Sequence, residues 1–68
     1  MVVIYEVRFS FLEGGPYTFL SDTLERAIRH AELYLDTTLA YRVVIRRLKV
    51  GNGATILRTY VLKDDAPF

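Results

Sequence analysis

The sequence predicts a small α+β domain in which one amphipathic helix packs on one face of a four-stranded antiparallel sheet. Three observations lead to this prediction: an alternating apolar segment near the N-terminus, a central segment with apolar residues at helical spacing, and two β-branched segments that flank a Gly-Asn-Gly turn. The 68 residues are the length of a single domain, and 51% of them are apolar, which is sufficient for one core.

The first hairpin is predicted over residues 2–20. Apolar residues alternate with mostly polar ones along residues 2–12, which is the period of a strand in a sheet with one covered face. The Gly-Gly-Pro sequence at residues 14–16 permits a tight reversal, so that residues 17–20 form a short returning strand. The first strand is expected to contribute to the core the side chains of Val3, Tyr5, Val7, Phe9 and Phe11.

The helix is predicted to begin near residues 21–25. Asp22, or equally Ser21, is expected to cap its first turn, and Glu25 then stands where a capping box requires it. Glu25 and Arg29 are four residues apart, which favours an ion pair along the helix. Asp36-Thr37-Thr38 is expected to end the helix. The apolar stripe consists of Leu24, Ala27, Ile28, Ala31, Tyr34 and Leu35.

A second hairpin is predicted from residues 40–50 and 54–63, joined by the Gly-Asn-Gly turn. Residues 64–68 are interpreted as a short polar tail that follows the domain, which we place at residues 1–63. The resulting order is ββαββ, and placing the third strand beside the first gives the spatial order 2-1-3-4 with every neighbour antiparallel. The helix then covers one face of this sheet.

The predicted third strand does not alternate cleanly. Val43 and Ile45 fall on one face of the strand, whereas Leu48 and Val50 fall on the other. We predict a β-bulge at residues 46–47, which would place Leu48 and Val50 on the same face as Val43 and Ile45, toward the core. The alternative is a regular strand in a sheet with both faces half-covered. With the bulge, the outward-facing side chains are Arg42, Val44, Arg46, Arg47 and Lys49.

Charge is distributed unevenly, because residues 37–63 contain no acidic residue although the net charge of the chain is only +1. The basic residues of this segment are mostly arginines, whose guanidinium groups bind carboxylate or phosphate groups through two parallel hydrogen bonds. We predict that they bind an acidic protein partner; the alternative is a solvated face. The predicted partner-binding residues are Arg42, Arg46, Arg47, Lys49 and Arg58.

The predicted last strand is apolar on both faces, contains no proline and carries Arg58 as its one charge within residues 54–62. The strand order places it at an edge, where unpaired backbone groups are a template for another strand. Leu33 adds an apolar side chain to the polar side of the helix. The sequence therefore predicts a homo-oligomer, a dimer or larger; the alternative is that this edge pairs with a partner protein. The predicted self-association residues are Ile56, Arg58, Tyr60, Leu62 and Leu33.

No pattern of catalytic or ligand-binding residues is found in the sequence. Cysteine is absent, and the one histidine, His30, is expected on the helix surface without a neighbouring set of metal ligands. No two carboxylates are marked as an acid–base pair, and no apolar segment reaches about 20 residues. We therefore predict a cytoplasmic protein that is not an enzyme and has no catalytic residue, cofactor, metal ion, membrane contact or small-molecule substrate.

Our functional prediction is a non-catalytic protein-interaction module: a regulator, inhibitor or assembly component of bacterial or viral type. The alternative is a nucleic-acid-binding protein, because a two-stranded ribbon fits a major groove and the basic residues of the second hairpin would meet phosphates. The small net charge of +1 weighs against this alternative, since nucleic-acid-binding domains are usually strongly basic.

Overall fold

The computed structural model describes residues 2–35 and 40–65. The four strands form one sheet in the order β2-β1-β3-β4, and each neighbouring pair is antiparallel. The predicted α+β fold, with its ββαββ order and its 2-1-3-4 sheet, is confirmed. The elements in chain order are β1 (Val2–Ser10), β2 (Tyr17–Ser21), α1 (Leu24–Leu35), β3 (Arg42–Gly51) and β4 (Gly53–Asp64).

Both hairpin turns use a glycine in a backbone conformation that other residues rarely adopt. Gly14 has a φ of 89° and Gly53 has a φ of 119°. The last strand extends one residue further at each end than the sequence predicts, so that it includes Gly53 and Asp64. Asp65 follows it and donates a backbone hydrogen bond of 2.8 Å to the carbonyl oxygen of Tyr41.

The first turn of α1 is capped by Thr23, and the predicted cap at Asp22 or Ser21 is wrong. The hydroxyl oxygen of Thr23 accepts a hydrogen bond of 3.2 Å from the backbone N–H of Arg26, and its carbonyl oxygen accepts the first helical bond, 3.1 Å from the N–H of Ala27. Asp22 instead lies 3.4 Å from the Arg26 guanidinium. Three adjacent residues have side chains that suit a cap, so the sequence alone does not select among them.

The core lies between α1 and the face of the sheet formed by β2, β1 and β3. Alanines at two fully buried helix positions, Ala27 and Ala31, allow the helix to lie close to the strands. Around the core pack partly buried side chains, among them Tyr5 and Phe11 of the predicted first-strand set. The buried residues of the core are Val7, Phe9, Ala27, Ala31, Ala40, Val43 and Ile45.

The predicted bulge at Arg46-Arg47 in β3 is wrong. β3 pairs with β1 without interruption from Val50 to Arg42, so its side chains alternate along the whole strand. Val43 and Ile45 face α1, whereas Leu48 lies on the opposite face, which we call the outer face. The alternative, a regular strand with both faces half-covered, is the one that the structure shows.

The extra residues are in β4 instead. Arg47 pairs with Arg58 but the next residue, Leu48, pairs with Ile56, so Leu57 has no partner in β3 and forms a bulge. A second register shift, between Val43 and Val44, makes Leu62 a bulge in the same way. An extra residue in β3 would interrupt the ladders to both β1 and β4, whereas one in β4 disturbs a single ladder. Bulges accordingly concentrate at sheet edges.

Candidate interaction surfaces

The edge strand β4 is largely uncovered. α1 packs on β1, β2 and β3, and every residue of β4 is exposed except Tyr60 and Lys63, which are half-buried. Its large apolar side chains remain open to solvent: Ile56 is 52% exposed, Leu57 47% and Val61 55%. A strand with this much apolar surface and one unpaired edge is a candidate site for pairing with another chain.

The two bulges modify this edge. They divide β4 into three regular segments, residues 53–56, residues 58–61 and the short segment 63–64. Bulges protect natural edges because they interrupt the row of unpaired backbone groups. A partner strand therefore finds a regular ladder over one segment at a time rather than over the whole strand.

The predicted self-association residues are not all brought together. Ile56 lies on the outer face, whereas Arg58 and Tyr60 lie on the helix side, because the bulge at Leu57 reverses the alternation between them. Leu33 is 66% exposed but lines a groove between α1 and β2, at the opposite edge of the sheet from β4. Two further residues that were not predicted, Leu57 and Val61, share the exposed apolar surface of β4.

The predicted partner-binding residues are divided between the two faces of the sheet. Arg42 and Arg46 lie on the outer face, opposite Ser10 and Glu6 of β1. The other three lie on the helix side, contrary to the predicted outward orientation of two of them. We call these three residues the basic patch: Arg47, Lys49 and Arg58.

The basic patch holds three like charges close together. Arg47 and Arg58 are directly opposed across β3 and β4, and Lys49 is the next residue along β3 on the same face. All three residues are exposed, and none forms an ion pair with another described residue. The guanidinium carbon of Arg58 lies 4.8 Å from the centre of the Tyr60 ring, a cation–π contact that holds Arg58 in place.

We expect Arg47→Glu to stabilise the domain, by about 0.2–1 kcal/mol, because it replaces a like-charged cross-strand pair with an oppositely charged one. The measurement is the urea midpoint at low ionic strength, repeated at high salt, where the gain should shrink. Arg47→Gln is the matched control and should lie between the wild type and Arg47→Glu. Equal stability of the glutamate and glutamine variants at low salt would show that the two side chains do not interact.

The outer face carries an ion pair between β1 and β3. One carboxylate oxygen of Glu6 accepts hydrogen bonds from Nε and Nη2 of Arg46, at 2.9 Å and 2.6 Å. The side chains are 16% exposed for Glu6 and 27% for Arg46. This partial burial orients the Arg46 guanidinium more firmly than a fully solvated ion pair would.

Beside this ion pair the outer face forms a cavity of about 380 Å³. Three arginines reach it from two strands, and one of them, Arg8, was not among the predicted site residues. Arg8 belongs to β1 and lies outside the acid-free segment. Its neighbours Val7 and Phe9 face α1, so the alternation of the strand places Arg8 on the outer face. The residues that line this outer-face cavity are Arg8, Ser10, Arg42, Val44, Arg46 and Thr59.

His30 is half-buried rather than a surface residue. Its ring stacks on that of Phe19, with the ring centres 3.6 Å apart and the planes 3° from parallel. Its Nε2 atom is buried and has no hydrogen-bond partner among residues 2–35 and 40–65. No group of three or more His, Asp or Glu side chains within these ranges is arranged to hold a metal ion.

The fold and these surfaces define a two-layer ββαββ α+β domain whose second hairpin extends beyond its helix. Comparisons with family models, curated proteins and solved structures find no match for this chain. None of the helical residues that the structure describes forms a helix long and apolar enough to cross a membrane.

Proposed function

We propose that this chain is a non-catalytic protein-interaction module that self-associates through β4. The observation that supports this proposal is the uncovered apolar edge strand: β4 lies beyond the helix, has one unpaired edge and exposes large apolar side chains. Pairing with another strand would satisfy the backbone groups of that edge and remove part of this apolar surface from water.

A second copy of the chain is the partner that the charges on β4 favour. Arg58 lies in the middle of the strand, whereas Asp64 lies at its end and Asp65 follows it. If the two-fold axis of an antiparallel pair lies at Val61, Arg58 of each strand is opposite Asp64 of the other. A parallel pair would instead place like charges together.

The test is the mass of the protein by light scattering across a range of concentrations. We expect the wild type to form dimers or larger species, and Val61→Lys to shift it to the monomer. Leu20→Lys is the matched control, because Leu20 is 59% exposed on the opposite edge strand, β2, and should leave the assembly intact. A wild type that stays monomeric at high micromolar concentration, or equal effects of the two lysines, would rule out association through β4.

We further propose that the basic patch binds an acidic protein partner, as a regulator, inhibitor or assembly component would. Its three positive charges form no ion pair with any described residue, so an acidic partner would relieve their mutual repulsion. Retention on immobilised polyglutamate at low salt tests this proposal. Arg47→Glu should weaken retention and raise the stability of the domain, so a loss of retention could not be due to unfolding. Unchanged retention would show that the basic patch does not bind an acidic partner.

Binding to nucleic acid stays a prediction without a supporting observation. The arginines of the second hairpin lie on two opposite faces of the sheet, so they do not form one continuous basic track along which a phosphate backbone could run. The retention experiment includes a duplex and a single-stranded oligonucleotide at low salt. Retention of either one in preference to polyglutamate would favour nucleic acid over an acidic protein.

A further inference from the structure

The outer-face cavity brings together side chains of β1 and β3, which do not take part in the self-association of β4, and one side chain of β4, Thr59. It lies between β1, β3 and β4, and guanidinium groups and hydroxyl groups line it. We infer that the outer-face cavity is a binding site for a phosphate group. This inference goes beyond the proposed function and does not depend on it.

The lining supplies hydrogen-bond donors of the kind that a phosphate group requires. Arg8 and Arg42 form no ion pair with any described residue, so their guanidinium groups have donors to offer a ligand. The hydroxyl groups of Ser10 and Thr59 add two further donors. A phosphate group has three strong acceptor oxygens and a charge near −2, which matches several converging donors.

Glu6 positions the third arginine. It engages Nε and Nη2 of Arg46 through a single carboxylate oxygen, which leaves Nη1 of Arg46 outside the ion pair. Glu6 therefore orients a guanidinium at the edge of the cavity and neutralises one of its three positive charges. Asp64 pairs with Arg42 across β3 and β4, but their charged atoms are not within 4.0 Å, and Asp64 does not line the cavity.

The shape of the surroundings favours a single compact group over an extended polyanion. Toward the hairpin turn, the same face continues with apolar side chains, Ile4, Leu48 and Ile56, which offer a phosphate backbone no donors. A carboxylate has two oxygens and would leave more of the donors unsatisfied than a phosphate does. The cavity therefore fits one phosphate group, whether free or carried by a small molecule or side chain.

The test is a titration of the isotope-labelled full chain with inorganic phosphate at constant ionic strength, followed by amide NMR shifts. We expect saturable shifts at residues 8, 10, 42 and 59. Arg42→Gln should weaken the affinity by at least about tenfold. The matched control, Arg29→Gln on α1, should change it by less than about twofold, because the Arg29 side chain is 73% exposed on the other side of the sheet, where solvent and salt screen its charge. The other amide shifts of each variant show that the domain remains folded.

Further titrations with acetate, O-phosphoserine and a short single-stranded oligonucleotide identify the source of the group. Saturation by both phosphate and O-phosphoserine indicates a site that accepts an attached phosphate, whereas saturation by inorganic phosphate alone indicates a site for the free ion. Either result supports the inference. Equal affinity for acetate, stronger binding of the oligonucleotide across both faces, shifts that never saturate, or equal weakening by Arg42→Gln and Arg29→Gln would overturn it.

Discussion

Phe9→Ala is expected to lower the free energy of unfolding by about 3–5 kcal/mol, the usual range for removing a buried phenylalanine. Phe9 is 1% exposed and its ring packs against three other rings. The distance between ring centres is 5.8 Å to Tyr17 of β2, 6.5 Å to His30 of α1 and 6.3 Å to Tyr34 of α1. Phe9 thus joins β1 to the neighbouring strand β2 and to the helix α1. A domain of this length has little stability in reserve, so the variant should be largely unfolded at room temperature.

Circular dichroism during urea titration measures this loss. Leu12→Ala is the matched control, because Leu12 is also a large apolar residue of the first hairpin but is 70% exposed. Its effect should stay within about 0.5 kcal/mol. If the two alanine variants unfolded at the same urea concentration, the core could not lie where α1 covers β1.

The fold could be predicted because its main signals are local. The alternation along β1 places Val7 and Phe9 on one face, and the helical spacing of Ala27 and Ala31 places them on one stripe. Burial of these two apolar surfaces against each other leaves few arrangements of the strands. Two tight turns pair β1 with β2 and β3 with β4, and α1 carries the chain from β2 to β3 on the other side of β1.

The faces of the arginines could not be predicted, because a bulge is a property of two strands together. Leu48 falls out of phase with Ile45 in the sequence, and an extra residue in β3 is one explanation. The structure resolves the mismatch differently, since Leu48 stays on the outer face and the extra residue is Leu57 of β4. This difference moves Arg47 to the opposite face from the one predicted.

The outer-face cavity was missed for a related reason. Its arginines come from segments that are far apart in the sequence, and Arg8 meets Arg42 and Arg46 only through the pairing of β1 with β3. The signal that would have found it is the alternation of β1, which puts Arg8 on the same face as Glu6. Arg8 and Glu6 both lie outside residues 37–63, the acid-free segment from which the binding residues were predicted.

The ion pair between Glu6 and Arg46 is expected to stabilise the domain more than the other ion pairs of the described residues do. The side chain of Glu6 is 16% exposed and that of Arg46 is 27% exposed, so the pair is intermediate between surface and buried. A surface ion pair contributes about 0.2–1 kcal/mol to stability, and breaking a buried one costs about 3–5 kcal/mol. Glu6→Ala should therefore lower the free energy of unfolding by about 2 kcal/mol, since it leaves a half-buried guanidinium without its carboxylate.

A double-mutant cycle with Arg46→Ala separates the interaction from the loss of each side chain. If the guanidinium left by Glu6→Ala is the main cost, removing Arg46 as well should restore part of the stability. Glu25→Ala is the matched control, because the Glu25–Arg29 pair has side chains 81% and 73% exposed and should contribute no more than about 0.5 kcal/mol. Equal losses from Glu6→Ala and Glu25→Ala, with no coupling in the cycle, would mean that partial burial adds nothing to this ion pair. Arg46 would then lack the fixed orientation that the outer-face cavity requires.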